Sequence, residues 1–159
     1  MEKIKSTQII VEKSNFSNQE NSFFYTLAEL YKKTTGTTLE LDFLLNAEAH
    51  ILVNKNKEVL GGFFTALDGD LVADKNILDF KNSKFIKNGL YITGLVIDEH
   101  FKDDVSVMKF MEVKIKEFKR KGFAPWAVVS DEWIKNKYIE RGYVVEKISG
   151  ENGLYLVIF

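Results

Sequence analysis

"GLVIDEHFKDDVSVMKFMEVKIKEF", Gly94 to Phe118, is the stretch from which the rest of the chain is read. It begins as an apolar strand, crosses a short polar turn and continues with Val105, Met108, Met111, Ile115 and Phe118 on one helical stripe. Lys109, Lys114 and the run from Lys116 to Arg120 fall largely off that stripe, as a solvated face would. Strand-to-helix turns often hold phosphates, because helix-start N–H groups are free and the dipole presents its positive end there. This turn carries Lys102, Asp103 and Asp104 and has no glycine. Carboxylates in that place suit an empty helix start as caps, worth about 0.5–2 kcal/mol. They repel a bound anion, and Lys102 offsets only one of them.

Upstream, "GLYITGLVID" is a nearly continuous apolar run, the pattern of a central strand buried on both faces. Before it, "AHILVNKNKEVLGGFFTALDGD" reads as a hairpin around Asn54–Lys57, with Gly61 and Gly62 marking a bulge or a close backbone approach. Residues 69–88 are mixed and polar and read as a loop with one short element. The chain opens with a strand over 6–13. A capping box at Ser17 and Glu20 leads into a helix bearing Phe23, Phe24, Leu27, Leu30 and Tyr31. A second capping pattern, Thr37 to Glu40, leads into a short helix with Leu41, Leu44 and Leu45.

Downstream, Gly122 ends the long helix and a strand follows at Trp126–Val129. Asp131 can cap the helix "EWIKNKYIERG", which closes at Gly142. "YVVEKI" and "LYLVIF" then pair around "SGENG". The expected fold is α/β (α+β): a mixed, mostly antiparallel central sheet of six to seven strands flanked by about four helices, in one domain over 1–159.

Composition narrows the function. The 22 Lys+Arg against 23 Asp+Glu, net charge -1, make no electrostatic case for nucleic acid or an anionic membrane. Cysteine is absent, which excludes disulfides, thiolate metal sites and a cysteine nucleophile. His50 and His100 have no partner at ligand spacing, so no metal is expected. No apolar run is long enough to span a bilayer, and the first residues lack the apolar stretch of a signal peptide. A cytoplasmic protein, monomer or homodimer, is the expectation.

With these residues in this order, the chain resembles the Gcn5-related N-acetyltransferase (GNAT) family. Three features carry the likeness: "ITGLVID" with its turn and long helix, "WAVVSD" entering a short helix, and "YIERGY", Tyr138 to Tyr143. The last is similar to the family's Tyr-x-x-x-Gly-Phe/Tyr helix ending. The layout fits over nearly the whole chain. The resemblance implies acetyl-coenzyme A as cosubstrate and direct acyl transfer to the primary amine of a small molecule or peptide. Leu95, Val96 and Ile97 would offer a strand edge to the pantetheine arm. Lys102, Asp103, Asp104, Val105, Ser106 and Val107 would form the pyrophosphate turn. Tyr138 would protonate the leaving thiolate and Glu99 would orient or deprotonate the amine. Asp131 lies just after a central strand, where the family often has an Asn, and joins the cofactor set. Tyr91 and Thr93 alternate on their strand and could line the acceptor pocket.

The family's turn usually reads Arg/Gln-x-x-Gly-x-Gly/Ala, its glycines letting N–H groups approach the phosphates. With Lys102 in the Arg/Gln place, Val105 and Val107 take the glycine places; one residue on, Asp104 and Ser106 do. Two rival readings follow from that departure. One is a non-catalytic module of this fold that has lost the cofactor. The other is an acyltransferase using a carrier-protein donor.

Overall fold

The computed structural model describes residues 9–15, 22–36, 38–39, 41–67, 81, 88–93, 95–101, 106–148 and 153–159. In chain order its elements are β1 (Ile9–Asn15), α1 (Ser22–Thr35), α2 (Leu41–Asn46), β2 (Glu48–Val53), β3 (Val59–Leu67), β4 (Gly89–Ile92), β5 (Val96–Ile97), α3 (Ser106–Arg120), β6 (Ala124–Val129), α4 (Glu132–Glu140), β7 (Val144–Lys147) and β8 (Tyr155–Ile158). A 3₁₀ turn, Glu99–Phe101, follows β5. Both capping boxes and nearly all of 69–88 lie outside the described residues.

The strands form one sheet in the order β1-β2-β3-β4-β6-β8-β7, with β5 also on β3. Every described pairing is antiparallel except β4 with β6. Strands β4 and β5 follow one another along β3. Counted as one interrupted strand, they leave seven among the described residues, which with the four helices given above match the mixed, mostly antiparallel sheet of six to seven strands and about four helices that the sequence predicts.

Alternation along the strands decides the two faces. Helices α1 and α2 bury Phe24, Leu27 and Phe43 against Ala49, Ile51, Phe64 and Val96. Helices α3 and α4 bury Met108, Met111, Ile115, Ile134 and Tyr138 against Phe63, Ile92, Ala127 and Val157. Each fully buried large side chain contributes about 1.5–3 kcal/mol. The hairpin turn is held by Asn54, whose Oδ1 accepts from the N–H groups of Asn56 (3.0 Å) and Glu58 (2.9 Å). Gly142, at φ +83°, lets the chain leave α4 in a left-handed turn.

Two side chains depart from the sequence reading. Leu45 is exposed, and Phe43 is the residue by which α2 reaches the core. Lys114 is buried at 4% exposure rather than solvated. It lies one turn from Met111 and Phe110, so its stem packs on the core while its ammonium reaches Glu117 Oε2 at 3.5 Å. Among the described residues no helix is long and apolar enough to cross a membrane.

Candidate functional site

The site begins with a miscount between two strands. On β3, Thr65 faces Ile92 and Gly62 faces Val96. Three steps along β3 therefore match four along its neighbour, which is a one-residue bulge over Thr93–Leu95. Thr93 staples it. Its N–H donates to the Phe64 carbonyl (2.9 Å), and its hydroxyl oxygen accepts from the Phe64 N–H (2.9 Å).

The bulge turns the strand away from β6. Parallel pairing runs from Gly89–Ala124 to Ile92–Ala127 and then stops. Beyond it, among the described pairings, Val96 and Ile97 pair with β3, while Val128 and Val129 pair with β8. The gap between them widens into a cleft of about 580 Å³. Leu95, Ile97, Val128 and Val129 form its walls, Trp133 and Ile134 of α4 close one side, and Leu30, Tyr31 and Lys33 of α1 close the other. Tyr91, whose ring packs at a tilt on Trp126 with centroids 4.8 Å apart, lines it where the strands rejoin. Burial, and then the neighbouring Tyr31 phenol, push the pKa of Tyr91 up.

The strand carrying Leu95–Ile97 sits unusually close to β3. A Cβ on Gly61 would collide with the Val96 carbonyl, and one on Gly62 with the His50 carbonyl. Gly61 therefore serves the close backbone approach of the cleft wall, and Gly62 a matching approach to β2 on the other side of β3.

Carboxylates collect at the mouth. Asp98 Oδ1 accepts the His100 N–H at 2.9 Å and faces His100 Nδ1 at 2.9 Å. Partial desolvation pushes the Asp98 pKa up. The hydrogen bonds from His100, with the charges of His100 and Lys33, outweigh it and hold the pKa below the usual value. Glu99 is exposed on the 3₁₀ turn and lines the cleft. Asp131 lines it too, with Oδ1 accepting the Ile134 N–H at 2.9 Å as the N-cap of α4.

The structure thus brings Leu95, Ile97, Glu99 and Asp131 to one cleft. Val96 shares the backbone edge, but its side chain packs under α1 and α2. Val107 is fully buried against β3, so only its backbone could meet a ligand. Ser106 opens α3; Lys102, Asp103, Asp104 and Val105 lie outside the described residues. Tyr138 is fully buried and is not among the described residues lining the cleft; its hydroxyl donates to Met111 Sδ at 3.4 Å. From the sequence, α1 supplied no named site residue. Its amphipathic spacing marks which side is buried, not which strand it overlies. Among the described residues, no three His, Asp or Glu side chains gather as metal ligands would.

No protein-family model and no curated protein matches the chain. Solved structures do. A GNAT-family acetyltransferase from Staphylococcus aureus Mu50 superposes with a TM-score of 0.59 at 13% identity, over 96% of this chain and 99% of that one. Arabidopsis thaliana NAA60 in complex with acetyl-CoA gives 0.63 at 12% identity, over 96% and 98%. The CoA-dependent acyl-homoserine lactone synthase BjaI, with SAM and isopentyl-CoA, gives 0.64 at 12%, over 95% and 83%. The chain is similar to these in fold.

Proposed function

We propose that this chain, which has the fold of the Gcn5-related N-acetyltransferases, is a single-domain acyl-coenzyme A-dependent N-acyltransferase. It would pass an acetyl or related acyl group directly to the primary amine of a small molecule or peptide. The observation that carries the reading is the split between the bulged strand and β6. It leaves the edge of Leu95–Ile97 that faces away from β3 without a second strand partner among the described pairings, with the Leu95 N–H taken by Tyr138, beside a cleft of about 580 Å³. The amide-rich pantetheine arm of the donor is a fitting partner for such an edge.

In the reaction the amine nitrogen attacks the thioester carbonyl. A C–N bond forms, the C–S bond breaks, and the amine's proton ends on the thiolate sulfur. Glu99, exposed at the mouth, is the group proposed to take that proton or to orient the amine. The pyrophosphate is assigned to the turn from Lys102 to Val107, through N–H groups at the start of α3. Asp131, already engaged as a cap, edges the same mouth.

Titration calorimetry with acetyl-coenzyme A, and with coenzyme A as control, tests the reading. Micromolar binding, about -8 kcal/mol, is the expected result. Absence of heat and of thermal stabilisation at millimolar ligand would overturn it in favour of a non-catalytic module or a carrier-protein donor. Asp103→Gly with Asp104→Gly is expected to tighten binding, because it removes two carboxylates from the phosphate turn.

A further inference from the structure

Tyr138 is fully buried, and both functions of its hydroxyl are used inside the core. Its proton goes to Met111 Sδ on α3 at 3.4 Å, and its oxygen receives the backbone N–H of Leu95. The ring is fixed edge-on by Phe159 at 5.2 Å and Tyr143 at 6.1 Å. The hydroxyl therefore links α3 to the bulge, at the point where the strand leaves β6.

The position matters because pairing with β6 has already ended at Ile92–Ala127. Leu95 meets no β6 carbonyl among the described pairings. A buried N–H without an acceptor is costly, and the Tyr138 oxygen supplies one. As a proton donor the same hydroxyl is poorly placed. Burial and the Tyr143 phenol both oppose a phenolate there, and only the Leu95 N–H favours it.

We infer that Tyr138 is a positioning residue whose hydroxyl ties the Leu95 bulge to Met111 and holds the strand apart from β6, keeping open the gap in which the acyl donor lies. The donor's identity rests on the function proposed above; the tie itself does not.

The test uses the full chain, ¹⁵N-labelled. Tyr138→Phe removes the hydroxyl and keeps the ring. Exchange of the Leu95 amide is expected to quicken at least tenfold, while the amides of Ala127 and Val157 in the β6–β8 ladder hold. Met111→Leu should move the Leu95 amide in the same direction by less, and decides the matter if the tyrosine variant does not fold. In transfer assays, Tyr138→Phe should raise KM for acetyl-coenzyme A and leave the alkaline limb of the rate in place. An unchanged Leu95 amide overturns the inference. So does loss of kcat at constant KM with disappearance of the alkaline limb, which would make the hydroxyl the proton donor. If the wild-type chain takes up no acetyl-coenzyme A, the proposed function falls, and the tie's service to a donor with it. The amide exchange still decides whether the tie exists.

Discussion

Gly61 stands opposite Ile97, and the space its Cβ would need is taken by the carbonyl oxygen of Val96. Behind it lies Val107 of α3, whose Cγ1 would be 3.2 Å from the added carbon. The obstacle is backbone, which cannot swing aside as a side chain does. Gly61→Ala is therefore expected to cost about 1–3 kcal/mol, read as a lower urea midpoint. Because the strain falls on the cleft wall, acetyl-coenzyme A affinity should drop in the same variant.

Asp131 does a structural job at the cleft mouth, capping α4 through the Ile134 N–H at 2.9 Å. Asp131→Ala should cost about 0.5–2 kcal/mol, and Asp131→Asn, which still caps, far less. The asparagine variant also removes one negative charge beside the proposed donor site. It should bind acetyl-coenzyme A more tightly than wild type, by calorimetry, at nearly unchanged stability.

The Asp98–His100 pair sets a pH dependence. Because the Asp98 pKa is depressed in the folded chain, its contribution to stability is present above the ordinary carboxylate value. It is lost as pH falls through the folded value, over a window that runs downward from the ordinary carboxylate range. Urea midpoints across that window should fall less steeply for Asp98→Asn than for wild type. His100→Ala, which removes the imidazole partner, should raise the Asp98 pKa in a carboxyl-carbon NMR titration.

Tyr91 acts at the other end of the scale. Its raised pKa means that the folded state keeps a proton which the unfolded state gives up near pH 10. Its contribution is therefore intact below pH 10 and is lost as pH rises beyond it. Tyr91→Phe should flatten the fall in stability above about pH 10. In an ultraviolet titration the Tyr91 and Tyr138 phenols should ionise only as the chain unfolds.

Much of the layout was legible because its signals are local. A 3.6-residue stripe through Met108, Met111, Ile115 and Phe118 places the long helix, and alternation with Gly61 and Gly62 places the second strand of the hairpin. Asp131 and Gly142 mark the ends of one helix by capping chemistry that needs no distant partner. The resemblance in "YIERGY" and "ITGLVID" led to the fold that the solved structures share.

The site was less legible, because it consists of relations between segments far apart in the chain. "GLYITGLVID" reads as one buried strand; nothing local says that it gains a residue against β3 or that its pairing with β6 ends at Ile92. Lys114 reads as solvated by its type, yet its stem is buried, since a long amphipathic side chain can cover the core while its head reaches a carboxylate. Tyr138 reads as an available hydroxyl, and only packing puts Met111 and Leu95 around it. By itself, the sequence determined where most of the described helices and strands lie and which side of the long helix is buried, because period and capping are properties of neighbours along the chain. Only the tertiary structure decided where two strands part and which side chains are shut in behind them, because those follow from pairing and packing between residues that the chain order keeps apart.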